Sequence, residues 1–452
     1  MYHISQLSEL FRDKKLSPID VTRSCLQKIE QLNPTLNAFI SVTADEALKQ
    51  AVDAEKEIMS GRWRGPLHGV PIALKDLVDT AGIKTTAASG VFQNRIPAED
   101  APLVRQLKNA GGVIVGKTNM HEFAIGSTSH VSFFGPVRNP WNSDYVAGGS
   151  SGGSAVAVAT GMCYAAIGSD TGGSNRVPPA CCGVVGLKAT HALISTRGLV
   201  PMSQSFDHAG PICRTVEDTA IMLNALVDED FMGVAANLRD YRKSFSNKIN
   251  PIVGFICNGE FPEDTKSAFG DVLKLFQSWG WQMIEKDLPV MPDSGINLRN
   301  NEIQAFHKPL VEKYRNLYQP VTLARLENTM NLNGDVDSIT YIHQVDEMKE
   351  QRQKISRELF QDCDILISLT TTAPVTLEEA SEQGPVAVTL KNTLPFNYYA
   401  LPAISVPCGF SKNGLPLGLQ IVGPRWGEEM VLAVASYYEQ NTEWHLKDPP
   451  SL

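Results

Sequence analysis

Gly148-Gly149-Ser150-Ser151-Gly152-Gly153-Ser154 runs through a segment of small apolar residues into Gly168-Ser169-Asp170-Thr171-Gly172-Gly173-Ser174-Asn175-Arg176. Glycine lets the backbone take positive φ and approach another group closely. Two serine-bearing glycine clusters around one apolar segment therefore predict two tight loops converging on an active site. Ala155-Val156-Ala157-Val158-Ala159 suits a closely packed helix whose N-terminal end adds positive potential near the serines. In the second cluster, Thr171, Gly172, Gly173 and Ser174 are placed to aim successive backbone N–H groups into one concavity, as an oxyanion hole does, with Ser174 as the attacking hydroxyl. Serine needs a base at neutral pH, and Ser150 sits in the first cluster. Upstream, Val70-Pro71-Ile72-Ala73-Leu74 delivers Lys75-Asp76 to the mouth of a buried strand, where desolvation favours the neutral amine.

The first cluster also satisfies G-x-S-x-G, the nucleophile elbow of α/β-hydrolases, at Gly148 to Gly152. An elbow follows a buried strand, whereas Arg138 to Tyr145 is polar and contains Pro140. The elbow also leaves the second cluster without a purpose. His208 invites a Ser-His pairing, but a structural hydrogen-bonding role is expected for it.

These residues resemble the amidase signature family. The resemblance is carried by Gly69-Val70-Pro71 with Lys75-Asp76, by Gly148 to Ser154, by Gly168 to Arg176, and by Cys182-Gly183-Val184-Val185-Gly186-Leu187-Lys188. It covers about residues 18–224 and resumes at about 364–435. In that family a lysine, a serine held by a cis peptide bond and a nucleophilic serine form the triad, which implies Lys75, Ser150 and Ser174 here. The resemblance also implies supporting roles for Ser151, Asp170 and Arg176, the last two as a buried charge pair fixing the loop. It implies that Ala124 and Gly126 present backbone groups to the substrate, and that no cofactor or metal is needed. Asn175 stands where isoleucine is more common, Pro179 adds stiffness, and Ala189 replaces a usual proline; the triad positions are intact.

At 452 residues and 43% hydrophobic, the chain can bury a large core. A net charge of −9 with no basic tract argues against a nucleic-acid or anionic-membrane surface, so neither kind of partner is expected. No basic-then-apolar leader or run of 18 apolar residues is present, and cytoplasmic residence is the default expectation. Eight cysteines, among them Cys25, Cys163, Cys257 and Cys363, read as small buried hydrophobes. No His/Cys spacing suggests zinc.

Ile4 to about Ser60 reads as helical, with a capped start at Ser17-Pro18-Ile19-Asp20. Ala101 to Gly111 reads as a helix, Val113 to Val115 as a strand, and Gly116 to Met120 as its exit loop. Phe133, Phe134 and Trp141 are candidates for an apolar pocket wall. From Pro251 the pattern alternates in βαβ fashion, residues 296–360 are mostly helical, and Leu401 to Gly423 reads as a hairpin of buried strands. The expected fold is one α/β domain over 1–452, a central mixed β-sheet covered by helices. Within it lie a helical N-terminal part (1–62), a signature core (63–224), a variable substrate-pocket region (225–363) and a closing part of the sheet (364–452).

The expected function is hydrolysis of a small-molecule amide, or of a related carbamate or urea-type bond, through an acyl-enzyme on Ser174, releasing acid plus ammonia or amine. A homodimer is the one self-association allowed for. Two alternatives stay open: a glutamine-hydrolysing subunit of a tRNA-dependent amidotransferase, and a non-catalytic binding protein on the same scaffold. Pro201 within Arg197 to Ser203, and the absence of Tyr-Gly-Arg at His191 to Ser195, set the expectation closer to stand-alone amidases than to the glutamyl-tRNA amidotransferase A subunit.

Overall fold

Val70 to Lys75 and Ala165 to Asp170 are apolar enough to be buried on both faces, which is what a strand in the middle of a helix-covered sheet requires. In the computed structural model they are two neighbours in a sheet of eleven strands. The structure describes residues 2–227, 240–246, 249–258, 261–334, 336–383 and 388–450.

The strands are β1 (Phe39–Val42), β2 (Pro71–Lys75), β3 (Val113–Thr118), β4 (Ala165–Asp170), β5 (Val185–Lys188), β6 (His208–Cys213), β7 (Val253–Phe255), β8 (Met283–Glu285), β9 (Ile365–Leu369), β10 (Ala403–Phe410) and β11 (Pro416–Val422). Their order is β1-β3-β2-β4-β6-β5-β10-β11-β9-β7-β8. β2 runs parallel to β3 and β4, and β7 parallel to β8 and β9, while the other pairings are antiparallel, so the sheet is mixed. The chain is a single α/β domain.

β1 falls in the gap of the helical Ile4 to Ser60 stretch, after the helix that Ser17 starts and before a second one expected from about Thr43, where no strand is expected. The helix Pro18–Leu36 starts where Ser17 Oγ accepts from the Ile19 N–H at 3.1 Å, and it stops at Asn37, whose φ of 52° lies in the left-handed region. The four residues of β1 are too few to show a period, and pairing with β3 makes them a strand. β3 likewise extends to Thr118, because Gly116 and Lys117 pair with β2 on one side and β1 on the other; most of the expected exit loop is strand.

The helix Gly152–Ala159 is buried along its whole length. A Cβ on Gly153 would lie 2.3 Å from the Asn119 carbonyl oxygen and 2.4 Å from that of Ala38, so only glycine lets this helix seat against the loops beneath it. Lys75 closes β2 and Asp170 closes the adjacent parallel strand β4, so both project from the carboxyl edge of the sheet, where α/β sheets bind ligands. Three helices, Asp293–Tyr314, Pro320–Asn333 and Ser338–Leu359, supply a further wall outside that edge.

Candidate active site

Lys75 is fully buried, and three hydroxyls surround its amine. Nζ lies 2.7 Å from Ser150 Oγ, 2.8 Å from Ser151 Oγ and 2.8 Å from Ser169 Oγ. Desolvation pulls its pKa down to about 7, against the opposing pull of Asp170 and Asp207 through space. Ser151 Oγ donates to the Ser169 carbonyl at 3.1 Å, so it can only accept from the lysine. A neutral amine has two N–H donors and one lone pair; donation to Ser151 and Ser169 leaves that lone pair facing the Ser150 hydroxyl. Ser150 is positioned by the His121 N–H, which donates to its carbonyl at 3.1 Å, and its peptide bond with Gly149 is cis. Ser169 is a participant that the sequence reading missed. Its place on β4 directly after Gly168, beside Ser151, follows only from strand pairing.

The second loop is built around Asp170 and Arg176, both completely buried. Arg176 spends every N–H it has. Nε and Nη2 donate to the two Asp170 oxygens at 2.9 and 3.0 Å, Nη1 donates to Gln420 Oε1 at 2.6 Å and to the Thr393 carbonyl at 3.1 Å, and Nη2 also donates to Asn397 Oδ1 at 2.7 Å. Burial pushes the Asp170 carboxyl up, but the Arg176 guanidinium outweighs it and the pKa ends below the ordinary value. Asn397, Gln420 and Thr393 come from the far end of the chain and carried no sequence signal.

Asp170 also corrects the expected oxyanion hole. The Gly173 N–H donates to Asp170 Oδ1 at 2.6 Å and the Asn175 N–H to Oδ2 at 3.1 Å, so the Gly173 donor is committed to holding the turn. The N–H groups of Thr171, Gly172 and Ser174 have no hydrogen-bond partner among the described residues and remain as the donors an oxyanion could use. Gly173 itself has a φ of 140°, and a Cβ there would meet Thr393 Oγ1 at 2.3 Å. Thr171 Oγ1 donates to Asp207, which also accepts from the Met202 N–H at 2.9 Å, tying this loop to the segment opposite. Desolvation raises Asp207 to about 6.

Ser174, Thr171 and Gly172 line a small cavity together with Ala124, Gly126, Met202, Arg299, Arg325 and Leu390. Ala124 and Gly126 are thus at the cavity, but their N–H groups donate to the carbonyls of His121 and Ala124, at 2.9 and 3.0 Å. Asn175 points away: Nδ2 donates to the Leu187 carbonyl at 2.7 Å, inside the sheet. His208 Nδ1 faces the Phe206 and Asp170 carbonyl oxygens, a structural position. Phe133 and Phe134 are largely exposed, and Trp141 donates from Nε1 to the Cys182 carbonyl; none lines this cavity. Cys257 is exposed rather than buried. Among the described residues no helix is long and apolar enough to cross a membrane.

The Amidase family pattern matches residues 20–432. The chain belongs to the amidase family. Two similar amidase sequences are the glutamyl-tRNA(Gln) amidotransferase A subunit of Thermosynechococcus vestitus, 36% identical over 99% of this chain and 100% of its own, and that of Legionella pneumophila strain Philadelphia 1, 36% identical over 99% of each. Among solved amidase structures, 6-aminohexanoate cyclic dimer hydrolase with its substrate superposes with a TM-score of 0.86 at 26% identity, covering 99% of this chain and 98% of the other. The A subunit of the Thermotoga maritima glutamyl-tRNA(Gln) amidotransferase superposes at 0.78 with 31% identity, covering 98% and 95%.

These relatives overturn two expectations. Sequences 34–36% identical across 98–99% of this chain are those of the amidotransferase component, so the placement closer to stand-alone amidases is wrong. Pro201 and the segment from His191 are local loop features, and they weigh less than identity spread over the whole chain. The expectation of a small-molecule substrate without nucleic acid falls with it, since these relatives carry tRNA in their name. Net charge was a poor guide because the overall charge of one component does not report which surface of an assembly meets RNA.

Proposed function

We propose that this chain hydrolyses the carboxamide of glutamine as the ammonia-producing component of a tRNA-dependent amidotransferase, with protein partners and a tRNA-bound acceptor for the ammonia. The observation that carries the chemistry is the buried Lys75, near pKa 7, whose three neighbours are all hydroxyls. The whole-chain relatives carry the choice of acyl donor and the assembly.

In this reading Ser174 Oγ attacks the amide carbon as its proton passes to Ser150, and the Ser150 proton passes to the Lys75 lone pair. The N–H groups of Thr171, Gly172 and Ser174 hold the oxyanion. The carbon–nitrogen bond then breaks, the relayed proton leaves with ammonia, and water cleaves the Ser174 ester to release glutamate and restore the hydroxyl. Ser151 and Ser169 orient the lysine by accepting its two N–H bonds, and the Asp170–Arg176 pair keeps the turn in shape. The bond broken is a carbon–nitrogen bond outside a peptide, and an assembly acting on tRNA places the work in the cytoplasm.

The test is glutamate release from glutamine by the purified chain, alone and with its candidate partner proteins, for wild type and for Ser174→Ala. Glutamine turnover that depends on Ser174 and rises with the partners supports the reading. Turnover of simple aliphatic amides with none of glutamine under either condition rejects it.

A further inference from the structure

The turn that carries the oxyanion donors is held almost everywhere through its backbone. Asp170 accepts from the Gly173 and Asn175 N–H groups, Thr393 Oγ1 donates to the Gly172 carbonyl at 2.6 Å, and Asn397 Nδ2 donates to the Asp170 carbonyl at 2.9 Å. Thr171 is held differently. Its one hydrogen bond among the described residues runs through its side chain, from Oγ1 to Asp207 Oδ1. Asp207 is buried, and its second oxygen accepts from the Met202 and Ser203 N–H groups at 2.9 and 3.1 Å. The 202–205 loop is pinned from its other side as well. Glu302, on the helix Asp293–Tyr314, accepts from the Ser205 N–H at 3.0 Å and from the hydroxyls of Ser203, Ser205 and Tyr341. Met202 in this loop lines both the cavity of Ser174 and an outer cleft of about 850 Å³.

We infer that Asp207 is a positioning residue for the reaction at Ser174: by holding Thr171 Oγ1 it keeps the Thr171 N–H aimed at the oxyanion, and it sets that aim against the 202–205 loop at the mouth of the cavity. An N–H group stabilises developing charge only when its peptide plane is fixed before the reaction begins. Threonine is branched at Cβ and stiff at χ1, so anchoring its hydroxyl also restrains the backbone that carries the N–H. Asp207 does not line the cavity and acts through Thr171, which does. The position calls for a carboxylate because donors converge on both of its oxygens. An amide in its place turns an N–H₂ group toward one of those donors whichever way it faces.

The inference rests on the serine chemistry proposed above and not on the identity of the acyl donor, so its test needs neither glutamine nor partner proteins. The measured quantity is the second-order rate constant for labelling of Ser174 in the purified chain by an uncharged fluorophosphonate, whose phosphoryl oxygen takes the oxyanion position. Thr171→Val keeps the shape and the N–H and removes the hydroxyl. It and Asp207→Asn are each expected to slow labelling by about 10- to 100-fold, a misaimed donor costing no more than the ~10²- to 10³-fold of a lost one. Thr171→Ser, which retains the hydroxyl, should stay close to wild type. The double variant of Thr171→Val and Asp207→Asn should be no slower than the slower single one, because both changes break one contact. Labelling that still runs to one equivalent shows that a variant is folded; if Asp207→Asn does not fold, Thr171→Val against Thr171→Ser decides alone. A Thr171→Val chain that labels at the wild-type rate overturns the inference, since Asp207 then only closes its own turn. Effects that multiply in the double variant overturn it too. Glutamine turnover by the complete assembly is read in parallel. Its absence from a wild type whose variants show the expected labelling pattern rejects the amidotransferase reading and leaves Asp207 its role, whereas turnover of glutamine with labelling unchanged in the variants has the reverse meaning.

Discussion

Arg176 and the pair Arg299 and Arg325 are buried cations of opposite kind. Arg176, at the carboxyl edge of the sheet, is enclosed by Asp170, Asn397, Gln420 and the Thr393 carbonyl. Arg299 and Arg325, on the helical wall, face a cavity with their charges unanswered. A fully satisfied buried cation fixes a shape, and an unsatisfied one fixes none. Lys75 belongs to neither type, because its partners are neutral and burial strips its charge instead.

The largest losses are expected at the reacting groups. Ser174→Ala is expected to lower kcat by about 10³-fold or more, and Lys75→Ala comparably, since members of one catalytic unit fail together. Steady-state rates with active-site titration check this; a Lys75→Ala enzyme with wild-type rates at neutral pH removes lysine from the relay.

Next comes the enclosed cation. Arg176→Met strands Asp170 as a buried charge, and the expected loss is about 3–5 kcal/mol of stability, read from denaturant midpoints at unchanged slope. The change in unfolding free energy for a surface arginine such as Arg62 sets the baseline.

The lysine gives a pH signature. Because the neutral amine is the base, activity should rise as pH climbs through about 7 and then level off. Stability carries the same sign. The folded state holds the Lys75 pKa below its value in the unfolded chain, so unfolding takes up a proton between those two values, and stability should increase with pH across that window. Lys75→Met should flatten that segment of the stability profile; an unaltered slope shows that the amine is not desolvated.

The smallest effect is expected at Ser169→Ala, which removes one of two acceptors of the lysine N–H bonds. A loss of about 1 kcal/mol and a modest shift of the pH–rate midpoint are expected, with the reaction otherwise intact. A collapse as deep as that of Ser174→Ala would make Ser169 a member of the relay.

Much of the site is local, and so the sequence reveals it. Two glycine–serine loops, a lysine closing an apolar strand, and the charge pair of Asp170 and Arg176 are each written within a few consecutive residues, because tight turns demand glycine and buried strands demand apolar runs. The alternation of strands and helices is similarly local, and it announces the α/β class. The edge strand β1 escaped because four residues shortly after a helix stop show no period until β3 supplies their hydrogen bonds. What tertiary structure alone decided is who completes each group. Asn397 and Gln420 reach Arg176 from the far end of the chain, Ser169 meets Lys75 only through the pairing of β2 with β4, and Asp170 takes the Gly173 N–H away from any oxyanion. Arg299 and Arg325 look like ordinary helix-surface residues in a polar stretch, and only folding brings them to the cavity of Ser174, where no acid is among the described lining residues. Charge and hydrogen-bond satisfaction are properties of neighbours in space, and a sequence orders neighbours only along the chain.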